Sequence, residues 1–360
     1  AEFSTSGQFK TTNRFKSYNN VPELRAIWKQ IAHVILTEEI GSLKAGVGTP
    51  NLAGGKPTDI YLEQTPILKG VMRSIKAQIE AFEKMKGKEK RANRHIPLVM
   101  FGLAKKAAID VRLVDPELKD DPGSKLNETV RVTLEKLNAT KEYKGTVAIF
   151  CDAYQSRDKS FNVFEDIRKK LIASGVPASE IAIIHDYKTD DRRNTLFNHV
   201  NSGQVRVVMG TTEKLGVGVN IQERLNTLIH MDAPIRPSDY NQRNGRILRQ
   251  GNNHLGMNIP VNVVRIGVKK TLDVTGYQRL EFKDKFTKQI LSDISNDRSI
   301  NDVDIDEVDT GNYAHMMASI CGSQAALALT IENNKLTKLK NSKEYFQVNM
   351  ANMRRQIGQL

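Results

Sequence analysis

The sequence predicts an α/β fold, a parallel sheet with helices on both faces, and three observations carry that prediction. Between residues 124 and 268, short apolar runs alternate with amphipathic segments of helical period. Runs such as TVAIFCD (146–152) and QVRVVMG (204–210) have the length of strands and the apolar content of strands covered on both sides. The chain before about residue 120 and after Thr271 reads instead as mostly helical, so it flanks the sheet.

Taken in order, Pro22 opens PELRAIWKQIAHVILTEE, where Leu24, Ile27, Trp28, Ile31 and Ile35 repeat at helical spacing. The loop GVGTPNLAGGKPT follows. Thr65 as N-cap and Pro66 at the first helical position then predict a long helix with Ile67, Val71, Ile75, Ile79 and Phe82 inward. It runs into KMKGKEKRANRH, six basic residues against one acidic, which reads as a solvated loop or as a phosphate-contacting arm. The helix SKLNETVRVTLEKLN precedes the strand TVAIFCD. Next come the helix FNVFEDIRKKLIASG, the strand EIAIIH, the helix DDRRNTLFNHVNSG, and the strands QVRVVMG, TLIHMD and IPVNVVRIG. A helix lies after Thr271, then an acidic linker, then a terminal helix with Leu329, Leu336 and Leu339 on a seam. That last helix is still running at Leu360, as in a segment of a longer chain. The expected division is a mainly helical accessory region at 1–120, the α/β lobe at 121–270 and a helical extension at 271–360.

Composition narrows the functional classes. A net charge of +13 over 360 residues favours a polyanionic partner, most often nucleic acid. Two cysteines, Cys151 and Cys321, make neither a disulfide framework nor a zinc-finger spacing, which predicts a reducing, cytoplasmic setting. No run reaches the length of a membrane span. The N-terminus AEFSTSGQ is polar, without a secretory signal, and reads as a cloning remnant. The seven histidines form no HExxH pair. Asp302, Asp304, Asp306, Glu307 and Asp309 imitate a calcium loop, but Glu307 stands where glycine is needed and Tyr313 where a bidentate carboxylate is needed. AGGKPT lacks the hydroxyl residue and upstream glycine of a phosphate loop. No carboxylate pair suited to magnesium follows a strand, and no DPPY- or NPPF-type tetrapeptide of a nucleobase methyltransferase is present. No metal site is therefore expected in this chain.

Candidate chemistry gathers where strands end. NQRNGRILRQGN (241–252), taken as a helix, puts Gln242, Gly245, Arg246 and Arg249 on one arc and Tyr240, Ile247 and Leu248 opposite. One face packs, and the other presents an amide and two guanidinium groups. A glycine inside a helix costs about 1 kcal/mol against alanine, so its presence implies a close approach. GTTEKLGVGVNIQ (210–222) follows a strand with two hydroxyls, a lysine and a Gly-x-Gly-x-Asn turn, groups suited to phosphate.

In order and spacing, residues 125–290 resemble the second RecA-like lobe of superfamily-two helicases, closest to the Swi/Snf-type translocases. VAIFCD is similar to the motif that opens that lobe, and Arg193, Leu196 and Val200 match its following helix. GTTEKLGVGVNIQ resembles motif five, and DAPIRP a D-x-P-W-x-P segment with Ile235 in place of tryptophan. QRNGRILRQG resembles motif six, and VKKTLDVTGYQRLEFK the brace helix. Asp186 departs from the pattern, since glycine usually follows a residue placed like His185. The flanks RFKSYNNVPELRAIW, KAAIDVRLVDP and ENNKLTKLKNSKEYF resemble large methyltransferase–helicase fusion proteins of phages and mobile elements.

The resemblance implies the C-terminal half of an ATP-dependent DNA helicase or translocase. Arg246 and Arg249 are then arginine fingers toward the γ-phosphate of ATP, with Gln242 and Gly245 in the same network. Gly216, Gly218 and Asn220 couple nucleotide state to a DNA track contacted by Thr211, Thr212, Lys214 and His185. An N-terminal RecA-like lobe outside this chain supplies the phosphate loop and holds Mg2+, and a methyltransferase domain belongs to the same polypeptide. The alternatives are a non-catalytic DNA-binding or scaffolding module with a degenerate lobe, and an independent α/β transferase.

Overall fold

The computed structural model describes residues 2–3, 9–10, 17–19, 21–32, 48–156, 158–216, 218–291 and 299–301. The acidic cluster at 302–309, the leucine seam and Cys321 lie outside these residues.

Six strands form one sheet, all parallel: β1 (Thr58–Leu62), β2 (Thr146–Phe150), β3 (Ile181–Ile183), β4 (Val207–Gly210), β5 (Leu225–His230) and β6 (Asn262–Val268), in the order β1-β6-β5-β2-β4-β3. This is the expected α/β, RecA-like architecture. Among the described helices, the longer ones after residue 60 are α1 (Pro66–Lys84), α2 (Ile96–Ile109), α3 (Lys125–Ala139), α4 (Val163–Ala173), α5 (Asp190–Ser202), α6 (Pro237–Asn244) and α7 (Leu272–Leu291).

Period-2 geometry sends alternate strand residues to opposite faces, so each strand feeds two cores. Val147, Ile149, Val207, Met209 and Ile229 pack with Leu126 and Leu137 of α3 and Phe164, Ile167 and Leu171 of α4. Ala148, Phe150, Val208 and Leu228 pack on the other face with Leu196 and Val200 of α5 and with Ile247. Side-chain and glycine caps bound these helices. Ser124 and Thr189 cap α3 and α5 by accepting from Asn127 N and Arg192 N, and Gly203 closes α5 in the left-handed region.

The strand β1 was not anticipated, because the stretch around it reads as loop and helix. It enters the sheet beside β6 through a charged contact. Arg265 of β6 donates from Nε and Nη2 to Asp59 of β1 at 2.5 and 2.7 Å, and from Nη1 to Glu281 of α7 at 2.5 Å. Lys125, wholly buried, joins Asp273 of α7 at 2.5 Å and donates to the Met231 carbonyl at 3.0 Å. The sheet thus takes its edge strand from the N-terminal region, and α7 is bolted across its end.

Thr65 caps α1 as expected. Its inward register begins one residue late: Leu68 and Met72 are buried where Ile67 and Val71 were expected, while Ile75, Ile79 and Phe82 follow the prediction. The early helix spans Val21–Ile31 with Leu24, Ile27, Trp28 and Ile31 exposed, so its apolar stripe is not core.

A candidate nucleotide-facing site at the strand ends

In a parallel sheet the loops that follow the strands share one edge, where ligands of open α/β sheets bind. Three such ends, after β2, β4 and β5, deliver Asp152, Thr212 and Asp232, and α6 lays Arg243 between them. Arg243 has no exposed side-chain surface, and all five of its N–H donors are used. Nε donates to Thr212 Oγ1 (2.8 Å), and Nη1 donates to the Asp232 carbonyl (3.0 Å) and His230 Nδ1 (3.3 Å). Nη2 donates to Asp152 Oδ2 (2.8 Å) and Asp232 Oδ1 (3.0 Å). The guanidinium carbon also stands 5.3 Å from the Phe150 ring centre.

The carboxylates are satisfied from the backbone as well. Asp152 Oδ1 accepts from Thr212 N at 2.7 Å, and Asp232 Oδ2 accepts from the Asp152 and Ala153 amides at 2.7 and 3.2 Å. Burial is the largest single influence on Asp232 and would raise its pKa, but the Arg243 charge and hydrogen bond, Lys105 and the Asp152 amide together carry the net direction down. Burial likewise works against the Arg243 charge, and Asp232 and Asp152 reverse that. Because Nδ1 of His230 accepts from Arg243, its proton resides on Nε2, which donates to Asn244 Oδ1 at 2.9 Å. Burial, then the Arg243 charge, push His230 down to about 3, so it is neutral at ordinary pH.

The arginine-bearing segment departs from the helix expected over 241–252. The helix α6 ends at Asn244, Gly245 caps it with φ −63°, and residues 245–251 form successive turns. A Cβ on Gly245 would meet only its own preceding turn, at 3.1 Å from Asn241 O. The helix stops because Ile247 and Asn252 pin the chain to the sheet. Ile247 is fully buried among β2, β4 and β5 residues, and Asn252 Nδ2 donates to the Leu225 and Ile247 carbonyls at 2.9 and 3.2 Å. The partition still holds: Tyr240, Ile247 and Leu248 pack inward, and Arg246 and Arg249 are half-buried on the other side.

Arg246 and Arg249 both donate from Nη1 to the Val219 carbonyl, the latter at 3.2 Å. The turn Gly216–Asn220 and the arginine segment, distant in sequence, therefore meet at one oxygen. Gly216 permits that turn, since a Cβ there would lie 2.4 Å from the Thr212 carbonyl oxygen. Gly218 sits at φ +67°, which also favours glycine. Asn220 is exposed and its carbonyl accepts from Asn201. The exposed Gln242 joins through its backbone, accepting from Arg246 Nε at 3.4 Å. Among the described residues no carboxylate pairs with Arg246 or Arg249. Burial, and then the neighbouring Arg249, lower the Arg246 pKa. Two cations converging without a counter-ion make a place that favours a polyanion.

The other expected contact residues divide. Thr212 turns inward, its hydroxyl donating to Asp152 and accepting from Arg243. Thr211 is half-buried, and Lys214 is exposed beside Glu213 at 3.4 Å. His185 stacks on Tyr154 and Phe164, with ring centres 4.9 and 5.9 Å away. Its pKa is lowered by burial and then by Lys214, and the following Asp186 accepts from Arg168 at 2.8 Å. Sequence reasoning passed over Arg243, though a signal existed: at 100° per residue it falls beside Ile247, on the packing arc. An arginine there must be paired. The described residues contain no group of three His, Cys, Asp or Glu placed to hold a metal ion. No described helix is long and apolar enough to cross a membrane.

Residues 126–251, a little over a third of the chain, match the family described as the helicase conserved C-terminal domain. The match supports reading this segment as a helicase C-terminal lobe, and the segment contains the whole arginine site. No curated protein matches the chain. Among solved structures it is similar to the C-terminal part of the Fun30 ATPase domain, at 14% identity over 72% of this chain and 97% of that one, with a TM-score of 0.44. It is also similar to the Sulfolobus solfataricus SWI2/SNF2 ATPase C-terminal domain (19%, 66% and 89%, TM-score 0.43). A third is the Pyrococcus furiosus Hef helicase domain (13%, 64% and 57%, TM-score 0.40). The strand order, not these partial overlaps, establishes the fold.

Proposed function

We propose that this chain is the C-terminal half of an ATP-dependent DNA translocase and supplies Arg246 and Arg249 to an ATP site completed by a second lobe. The observation that carries the proposal is the convergence of both guanidinium groups on the Val219 carbonyl with no carboxylate paired to them among the described residues. These hydrogen bonds occupy few of the five donors on each guanidinium, so a planar fork remains for phosphate oxygens. Such donors stabilise charge that develops on a transferring phosphoryl group more than charge in the ground state. The phosphate loop and the carboxylates for Mg2+ belong in this reading to the other lobe. Bound there, Mg2+ would neutralise phosphate charge, and the residues of this chain add the arginines. Gly216, Gly218 and Asn220 then link those arginines to Thr211, Lys214 and His185, which we assign to the DNA backbone. Thr212 holds that edge from within. The resemblance of the flanks extends the proposal to a methyltransferase domain on the same cytoplasmic polypeptide.

The test is DNA-stimulated ATP hydrolysis by the intact two-lobe protein. Arg246→Ala and Arg249→Ala should each lower turnover by on the order of 10³–10⁵ with DNA and nucleotide binding retained, as for arginine fingers elsewhere. Near-normal turnover in both variants overturns the proposal. Steady hydrolysis by this chain alone, abolished by a substitution within it, overturns the two-lobe arrangement.

A further inference from the structure

We propose that the basic arm Lys84–His95, at the tip of the hairpin formed by α1 and α2, is a contact surface for the phosphate backbone of duplex DNA. It is separate from the strand-end site, and it rests on the translocase reading for the choice of DNA as the polyanion. The arm holds Lys84, Lys86, Lys88, Lys90, Arg91 and Arg94 against the single acid Glu89. Lys84, Lys86, Lys88, Arg91 and Arg94 are all exposed, and among the described residues none of these five forms an ion pair. Some other surface cations are paired, among them Lys76 with Glu80, Arg131 with Glu128 and Glu135, and Arg168 with Glu165 and Asp186; the arm instead gathers five unpaired ones within twelve residues. Unpaired like charges repel, so concentrating them at one tip has a cost that an anionic partner relieves.

The arm is also built rather than loose. Its short helix Gly87–Ala92 sets Lys88 and Arg91 three apart, on one side. Lys90 lies over the Phe82 ring at 5.3 Å, and Asn93 Nδ2 donates to the Glu89 carbonyl at 3.1 Å. Beneath it, Leu68, Met72, Ile75 and Ile79 of α1 pack with Met100, Ala104 and Ala107 of α2. The same α2 reaches the strand ends, where Lys106 Nζ donates to the Gln155 carbonyl at 2.8 Å. From Ile96 to Lys106 is about 15 Å along a helix. A duplex covers that in four or five base-pair steps of about 3.4 Å, so one DNA can touch both places.

The experiment measures binding of this chain to a fluorescent duplex DNA of arbitrary sequence through a salt titration, without ATP. Changing Lys86, Lys88, Arg91 and Arg94 together to Gln should flatten the slope of log K against log[salt] by about 0.9 for each phosphate no longer neutralised, roughly 2–4 in all. Affinity at low salt should fall at least about tenfold. A charge-preserving variant (Lys86→Arg, Lys88→Arg, Arg91→Lys, Arg94→Lys) should bind as the parent does, and circular dichroism should show all three folded alike. The proposal is overturned if the Gln variant keeps the parent's slope and affinity, or if the charge-preserving variant loses as much. It also falls if the parent does not bind DNA, or if anionic phosphatidylserine vesicles capture the arm more tightly than the duplex at equal salt. Turnover of the Arg246 and Arg249 variants reads the translocase proposal separately, so either idea can fail alone.

Discussion

Arg243 and the pair Arg246/Arg249 lie within seven residues of one another, yet the fold treats them oppositely. Arg243 spends every donor on its own protein and has no exposed side-chain surface. Arg246 and Arg249 lie where α6 has already ended, share one backbone oxygen and meet no carboxylate among the described residues. A buried arginine is tolerable when its neighbours replace every hydrogen bond that water gave. A half-buried pair with spare donors is tolerable because water still reaches it, and a ligand can take the water's place. Residue type therefore does not identify a functional arginine. The balance of donors used and left over is the physical difference between the two, and it is what supports the proposed role of the pair.

The comparison breaks most readily at Arg243. Arg243→Met leaves Asp232 buried without its counter-charge, and breaking a buried pair from one side costs about 3–5 kcal/mol. Denaturant unfolding should show that loss. A loss under about 1 kcal/mol would mean that the five hydrogen bonds do not hold the strand ends.

Gly216→Ala sharpens the other half. Its φ is ordinary, so the effect is steric: the new Cβ lies 2.4 Å from the Thr212 carbonyl oxygen and the turn must move. An overpacking cost of about 1–3 kcal/mol is expected. If the turn carries Val219 with it, the Arg246 and Arg249 hydrogen bonds shift too, seen as altered Nη signals in NMR.

Protonation offers a milder probe of the same hub. His230 is depressed to about 3 in the folded chain, by burial and then by Arg243, against an ordinary value near 6.5. Between those values the unfolded chain binds the proton and the folded one does not. Stability is thus fully present above about pH 6.5 and falls as pH drops toward 3, by at most about 1.4 kcal/mol per pH unit from this group. His185 and His254, also lowered chiefly by burial, act in the same direction. Chemical denaturation from pH 7 to 4.5 should show the decline, and His230→Asn should make it shallower. An unchanged slope would remove His230 from the account.

The smallest effect belongs to the pair. Arg246→Ala or Arg249→Ala should change unfolding free energy by about 0.5 kcal/mol or less, because each gives up little more than a shared bond to one carbonyl. A destabilisation approaching that of Arg243→Met would erase the distinction between the two sets.

The parallel sheet was legible in the sequence, because five of its strands are short apolar runs whose pattern needs no partner to be recognised. Thr65 announced its helix start for an equally local reason, since a cap acts on amides a few residues away. The inward side of Tyr240, Ile247 and Leu248 was legible too, because it depends on spacing. What the tertiary structure alone decided depends on residues far apart in the chain. β1 belongs to the sheet because Asp59 meets Arg265, 206 residues on. α6 stops at Asn244 because Ile247 and Asn252 are claimed by β5 and its neighbours. Arg243 became a structural arginine, and Thr212 an inward one, when Asp152 and Asp232 arrived from two other strand ends. Local pattern records the apolar burial and backbone capping that a segment brings with it. The pairing of Arg243 with Asp152 across 91 residues, and of the Thr212 amide with the same carboxylate across 60, is written into no single segment, and it exists once the strands have set their ends side by side.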